Sequence, residues 1–401
     1  MKIKSIIKYL TIKLIQDIFR NKKRQCKEFN KSQINKILIL RLDEIGDVVM
    51  TTPFIRELRS NFPKANITLI VKPQTYNLVE LCPHVGKILT FNRYSGRFSF
   101  FINIFKAYSF SKNFLQKEQF DLCIIPRWDT DAYGASYLAY FSKAKRRIAY
   151  SECVSAMKTV ENKGFDGFFT DVITKTEHLH EVERNLDVII FLGGKIFNEN
   201  LELWISKEDY KSTSNIIDKQ KINILFCPST GSKRREWDID KYCKVLNLLN
   251  KEFAFKLIVL GDIKNTSKVL RNLKEKFTGE IIDLVGKTTL RETVALMQEA
   301  DVFIGGDTGP MHIAAACQID GIVISCHPQN GDINHGNSPK RFGPWQSPLV
   351  VLQPEYGLED CWSGCNKNYA HCINQITVEE VYRELEKILE KKVKEKSGGK
   401  Q

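Results

Sequence analysis

The strongest limit on the fold is a twice-run alternation of short apolar runs with helical stretches, each pair separated by a polar turn. It starts at Lys36–Arg41 (KILILR), whose four consecutive aliphatics suit a strand buried on both faces of a parallel sheet. A helical stretch follows to about Asn61-Phe62-Pro63, then a strand at Asn66–Val71 and a short helix from Pro73 to Leu81. Further strands are expected at Lys87–Thr90, Asp121–Ile125 and Arg147–Tyr150. Residues 151–175 read as loops, and His178–Leu192 as a helix closed by Gly193 and Gly194. The alternation restarts at Ile222–Phe226 and runs through Phe255–Leu260, Ile281–Leu284, Val302–Ile304 and Ile322–Ser325. Such βαβ alternation implies an α/β fold, a parallel sheet with helices on both faces. A length of 401 residues suits two domains of this kind. The expected division is an arm at 1–35, an N-terminal Rossmann-like domain at 36–200, a C-terminal one at 201–376, and a last helix and tail at 377–401. The stretch 195–220 reads as the linker. The last helix opens on a capping box, Thr377 with Glu380. Val378, Val381, Leu385, Ile388 and Leu389 give it one apolar face, and 394–401 are expected to fray.

Charge points at first to nucleic acid, since the chain carries a net +13. Its location removes that reading. Residues 1–36 hold eleven Lys and Arg against Asp17 and Glu28, so the arm carries +9 and the other 365 residues only +4. A nucleic-acid surface needs its basic footprint on the folded body. Ile3, Ile6, Ile7, Leu10, Leu14, Ile15 and Ile18 recur in the arm at helical spacing with lysines between them. A helix of that kind either lies on an anionic membrane surface or packs on its own protein. Lys8 and Lys13 break the apolar run, so the arm is not read as a signal peptide. No stretch reaches the about 18 uninterrupted apolar residues of a membrane span. Eleven cysteines without an export signal suit reduced thiols and a cytoplasmic location, with a peripheral place on the inner face of the membrane open.

Ligands of open α/β sheets bind outside the carboxyl ends of the strands, where helix N-termini attract anions. Three turns stand there. The first, Asp43 to Asp47 after the first strand, places Gly46 where the backbone turns tightly or meets a ligand. Asp47 puts a carboxylate at the helix start, where it serves either as a cap or as a reactive group. The second, Gly305-Gly306-Asp307-Thr308-Gly309-Pro310-Met311-His312, is the strongest local signal. Its glycines permit close approach, Thr308 brings a hydroxyl, Pro310 fits the first helical turn, and His312 adds a donor suited to a diphosphate. The third, Pro228 to Trp237, carries Ser229, Thr230, Lys233, Arg234 and Arg235, residue types that bind phosphate oxygens. Gly261 and Asp262 form a further loop at the same edge. The dinucleotide fingerprint G-x-G-x-x-G is absent.

Together the segments 37–53 (ILILRLDEIGDVVMTTP) and 306–316 (GDTGPMHIAAA) resemble glycosyltransferase family 9, the lipopolysaccharide heptosyltransferases, over roughly residues 36–385. The resemblance implies a GT-B fold, two Rossmann-like domains facing each other across a cleft. It also implies an inverting, metal-independent transfer from a nucleotide sugar, ADP-heptose in the best-known members, to a lipid-linked glycan acceptor, with no cofactor. Residue by residue, Asp47 takes the catalytic aspartate position. Asp307, Thr308, Gly309 and His312 take the donor turn, with Thr230 and Asp262 as further donor contacts. The family's basic residue before a tryptophan is best matched by Arg235, though Arg234 or Lys233 remain open because the spacing differs and a proline is missing. Gly46 and Arg127 are expected on the acceptor side, with Trp128 and Asp129 beside them. His327, Arg341 and Trp345 are expected in a loop near the donor. Cys361, Cys365, Cys372 and His371 are read as reduced thiols in a loop, because C-x3-C-x6-C is not a standard zinc finger. Two readings stay beside the main one: a related transferase with another sugar nucleotide and a capsule acceptor, and a nucleotide-sugar epimerase or hydrolase.

Overall fold

The computed structural model describes residues 3–19, 31–365 and 367–398. The basic residues between Arg20 and Lys27 therefore lie outside the described residues. The chain forms two compact units, Met1–Glu199 and Asn200–Gln401.

The first unit holds a six-stranded parallel sheet: β1 (Lys36–Arg41), β2 (Asn66–Val71), β3 (Lys87–Thr90), β4 (Leu122–Ile125), β5 (Arg146–Tyr150) and β6 (Asp171–Ile173). The strands lie in the order β3-β2-β1-β4-β5-β6. The second unit holds β7 (Ile222–Cys227), β8 (Phe255–Val259), β9 (Glu280–Asp283), β10 (Val302–Gly306), β11 (Asp320–Ile324) and β12 (Leu349–Leu352) in the order β12-β11-β10-β7-β8-β9. Counted from its own first strand, that is the same winding. Each unit thus reverses strand order between its first and fourth strands, β1/β4 and β7/β10. These are the switch points where doubly wound sheets bind ligands. Ile37 to Leu40 and Ile222 to Phe226 are almost completely buried, as central strands covered on both faces require.

Several expectations need correction. Residues 151–175 contain a helix, Ala156–Glu161, and the edge strand β6 rather than loop alone. The helical stretch after β1 is two helices, Ile45–Val49 and Thr52–Asn61, because Pro53 has no amide to continue the first ladder. The stretch 195–220 is only in part a connection, since Lys207–Thr213 is a helix packed on Leu290–Glu299 and tied by Asp209 to Arg291 at 3.1 Å. Nor does the C-terminal helix fray at 394. It runs from Val378 to Gly398, with Lys396 reaching Asp301 at 2.9 Å and the Lys221 carbonyl at 2.7 Å. Its capping box is formed, Thr377 N–H donating to Glu380 at 2.7 Å and Glu380 N–H to the Thr377 hydroxyl at 3.1 Å. Gly193 ends the helix Glu181–Phe191 in the left-handed region, φ 66°, which favours glycine.

The arm helix Ile3–Phe19 does pack on its own unit. Ile12 and Ile15 join the core cluster that includes Phe165 and Phe168, and the Lys8 ammonium binds the Glu161 carbonyl. Its other aliphatics, Ile6, Ile7, Leu10, Leu14 and Ile18, remain exposed.

Candidate active site

At the carboxyl end of β1 an ion network surrounds Asp47. Arg41 ends the strand and is 1% exposed. Its Nε lies 3.3 Å from Asp43, and its Nε and Nη2 both donate to the Asp47 carbonyl, at 3.3 and 3.2 Å. Nη2 also lies 3.5 Å from Asp47 Oδ1, while Asp47 Oδ2 accepts the Glu44 N–H at 3.2 Å. Arg127, carried on the loop after the neighbouring strand β4, pairs with the far oxygen of Asp43 and donates to the Thr130 carbonyl. The sequence-predicted Asp47 and Arg127 therefore belong to one cluster. Asp47 is both a helix cap and a candidate reactive group, for its side chain is 19% exposed while Arg41 and Asp43 are buried. Burial pushes its carboxyl above the usual carboxylate range against the opposing pull of Arg41, with Asp43 adding to the rise and Arg127 to the pull. Gly46 is buried in the first turn of the helix Ile45–Val49, so a left-handed turn is not what calls for glycine there.

Beside this cluster an open pocket of about 640 Å³ is lined by Leu42, Glu44, Lys72, Arg93, Tyr94 and Tyr133 among others. Lys72 reaches Glu44 at 2.5 Å and sits 3.7 Å from the centre of the Tyr133 ring, and the Tyr133 hydroxyl donates to Glu44 at 2.8 Å. Although partial burial opposes it, these two contacts hold the Glu44 carboxyl below its ordinary range. Sequence reasoning missed Arg41, Lys72 and Tyr133. The only available signal was an arginine closing an otherwise apolar strand.

In the second unit β10 lies beside β7, with Gly305 opposite Cys227, so the turns after these strands meet. A Cβ on Gly306 would stand 3.1 Å from Thr230 Cγ2 and 3.9 Å from the Arg235 carbonyl, so a larger residue there would press on the Thr230 side chain. Arg235 Nη1 donates to the Asp307 carbonyl at 3.2 Å. Thr308 is the N-cap of the helix Gly309–Ala316 without using its side chain as a cap, and Pro310 stands in the first turn, where no amide is required. Asp307 and His312 are both buried, at 7% and 5% exposure. Burial pushes the Asp307 carboxyl up to about 6, opposed by Arg235 and by the Ser325 hydroxyl. Three polar atoms here, Ser229 Oγ, Arg234 Nε and Arg235 Nε, are buried without a hydrogen-bond partner among the described residues. Buried polar atoms in that state can be completed by a water, an ion or a ligand. Asp262 instead spends its carboxylate capping the helix Ile263–Lys276, accepting from Asn265 N at 3.0 Å and Nδ2 at 2.9 Å. His327 lies buried at the end of β11, stacked on His335 at 5.2 Å. Arg341 is buried with Nη1 on the Asn334 carbonyl, and Trp345 stands in the following turn. Trp128 donates to the Lys175 carbonyl and carries the Arg184 guanidinium on its ring at 3.7 Å, a core role.

The cysteines are free, as expected of reduced thiols, and they lie close together. Cys361, Cys365, His371 and Cys372 bring their ligand atoms within 4.8 Å of one another. Turns at Leu358–Cys361 and Cys361–Gly364 fold the segment back on itself, which finger spacing does not anticipate.

Two Rossmann-like domains, one with a poised carboxylate and one with an anion-ready turn at its switch point, have the GT-B architecture of sugar-nucleotide transferases. Residues 112–329 match glycosyltransferase family 9 (heptosyltransferase), and the chain belongs to that family as a glycosyltransferase. It is 23% identical over 278 residues to the lipopolysaccharide core heptosyltransferase OpsX of Haemophilus influenzae, covering 69% of this chain and 75% of that one. Among solved structures it resembles a glycosyl transferase family 9 protein from Veillonella parvula, with TM-score 0.73, 20% identity, and 91% and 99% of the two chains covered. It also resembles the E. coli ADP-heptose lps heptosyltransferase II, with TM-score 0.66, 18% identity, and 89% and 99% covered.

Proposed function

We propose that this enzyme moves heptose from ADP-heptose onto a lipopolysaccharide core or a related surface glycan, inverting the anomeric centre with Asp47 as general base. The Asp47 carboxylate carries the reading. It is partly exposed at a switch point, held by the Glu44 amide on one oxygen and by Arg41 near the other, in the family's catalytic position. As the acceptor hydroxyl attacks the anomeric carbon from the face opposite the diphosphate, Asp47 takes its proton. Charge gathering on the departing ADP is met by Arg235, Arg234 and the first-turn amides of the helix Gly309–Ala316. Two arginines at that position supply the positive charge a divalent metal gives in other transferases, which supports the metal-independent reading. The Haemophilus relative is named for the lipopolysaccharide core and the E. coli structure for ADP-heptose. A thermal-shift screen of nucleotide sugars tests the donor. ADP-heptose and ADP are expected to raise Tm. A response to UDP-sugars alone sinks the heptose reading in favour of another donor of the same family.

We place the enzyme at the inner face of the cytoplasmic membrane through the helix Ile3–Phe19. No described helix is long and apolar enough to cross a membrane. Yet Leu10, Leu14 and Ile18 are at least 58% exposed on a helix whose Ile12 and Ile15 are already buried in its own domain. Sedimentation with vesicles of anionic lipid is expected to retain the protein, and Leu10→Glu with Leu14→Glu to release it. Equal binding of both forms refutes the placement.

A further inference from the structure

We propose that Cys361, Cys365, His371 and Cys372 bind one structural zinc ion. The distances are those of a tetrahedral centre. His371 Nδ1 lies 3.6 Å from Cys361 Sγ and 3.5 Å from Cys372 Sγ. Bonds of about 2.3 Å to sulfur and about 2.0 Å to nitrogen give an S···N edge of about 3.5 Å and an S···S edge of about 3.8 Å. The widest separation among the four ligand atoms, 4.8 Å, closes to such an edge by a shift of about 1 Å. Three thiolates and one imidazole fill all four positions, so the ion has no open place for substrate and its role is structural.

The surroundings supply the reason for an ion. From Gln353 to Ile376 the described residues form no regular structure except the 3-10 turn Cys372–Gln375, and segments of that length need something to order them. Cys361, Cys365 and Cys372 are nonetheless 0% exposed within the core cluster of the second unit, and none is in a disulfide. Cys326, two residues beyond β11, is buried in the same core cluster as the three cysteines.

The knot also braces the donor side, an inference that rests on the function proposed above. Arg234 Nη1 donates to the Cys365 carbonyl at 3.4 Å, and Asp332 N–H donates to the Ser363 carbonyl at 2.9 Å. A Cβ on Gly364 would stand 2.7 Å from the His335 ring. Arg234 and Arg235 share one short turn, Lys233–Arg235, so the ion fixes the guanidinium groups that meet the diphosphate. The site is a positioning device and not a catalytic one.

The experiment is metal analysis of the full chain, purified without chelator, by mass spectrometry. About one zinc per chain is expected, absent from Cys361→Ser and Cys372→Ser. Where those variants fail to fold, the intact protein is titrated with a mercurial while zinc release is read by a chromogenic chelator, expecting one ion released per chain. Cobalt reconstitution is expected to give the absorption of a tetrahedral sulfur-ligated ion. Absence of metal after reconstitution, or zinc that survives both serine changes, overturns the site. Stoichiometric iron with the same cysteine dependence overturns the choice of zinc. Calorimetry with ADP reads the second part: affinity is expected to fall at least fivefold when zinc is removed, and an unchanged affinity overturns the bracing role. A zinc-loaded wild type that does not bind ADP counts against the proposed function and leaves the metal site standing.

Discussion

The two switch points share a winding and differ in how they treat charge. After β1 the carboxylates are answered: Arg41 and Arg127 divide Asp43 between them, and Asp47 is steadied by Arg41 and an amide, although Arg41 Nη1 has no hydrogen-bond partner among the described residues. After β7 and β10 Ser229 Oγ and the Nε atoms of Arg234 and Arg235 lack hydrogen-bond partners among the described residues, and the buried carboxyl beside them, Asp307, is driven towards neutrality. A neutralised network suits holding one carboxylate in place for proton transfer, whereas an unsatisfied cationic turn suits an incoming anion. One fold thus serves two chemistries through the turns alone.

Asp47→Asn makes the sharpest test of that division. Asparagine keeps an oxygen for the Glu44 amide, so the helix start survives while the base is lost. Transfer is expected to fall by at least about a hundredfold, the lower end for a general base. ADP affinity and circular dichroism should stay at wild-type values. A variant retaining full activity would show Asp47 to be a cap and nothing more.

Arg235→Ala probes the other turn and should give the crossed result. Losing a charged hydrogen bond of about 1.5–3 kcal/mol to the diphosphate raises the Kd for ADP by roughly ten- to a hundredfold. Calorimetry reads it directly, with kcat at saturating donor reduced less than by Asp47→Asn. An unaltered Kd would move the anion site elsewhere on the sheet edge.

How legible this was depended on where each residue finds its partners. β1, β7 and β10 were readable because strands covered on both faces are mostly apolar, and the Gly305–His312 turn because glycine and proline announce backbone demands locally. β6, three residues long, and β12, partly exposed, are edge strands whose pattern cannot be told from loop. Arg41 looked like a strand end. Its meaning appears only when Arg127, on the loop after β4, arrives to take the other side of Asp43. The closeness of the cysteine quartet was hidden for the same reason, since spacing in the chain says nothing of a loop folded back on itself.

The smallest expected effect is also the most specific to the comparison, because it asks whether Asp307 faces an anion. Its carboxyl rises from an ordinary 3.8 to about 6 in the fold, so between those values the folded state binds a proton that the unfolded state has lost. Stability contributed by this group is therefore highest below about pH 4 and declines as pH rises through 6, a slope that Asp307→Asn removes. Binding adds a second consequence. A diphosphate beside Asp307 disfavours its ionised form, so wild-type affinity suffers above pH 6 in a way the neutral asparagine does not. The ratio of wild-type to Asp307→Asn Kd cancels the titration of ADP itself. It should stay near unity at pH 5 and climb several-fold by pH 7.5, with most of the change around pH 6. A flat ratio would mean that Asp307 stands away from the diphosphate. The anion would then be held by Arg234, Arg235 and the helix start without it.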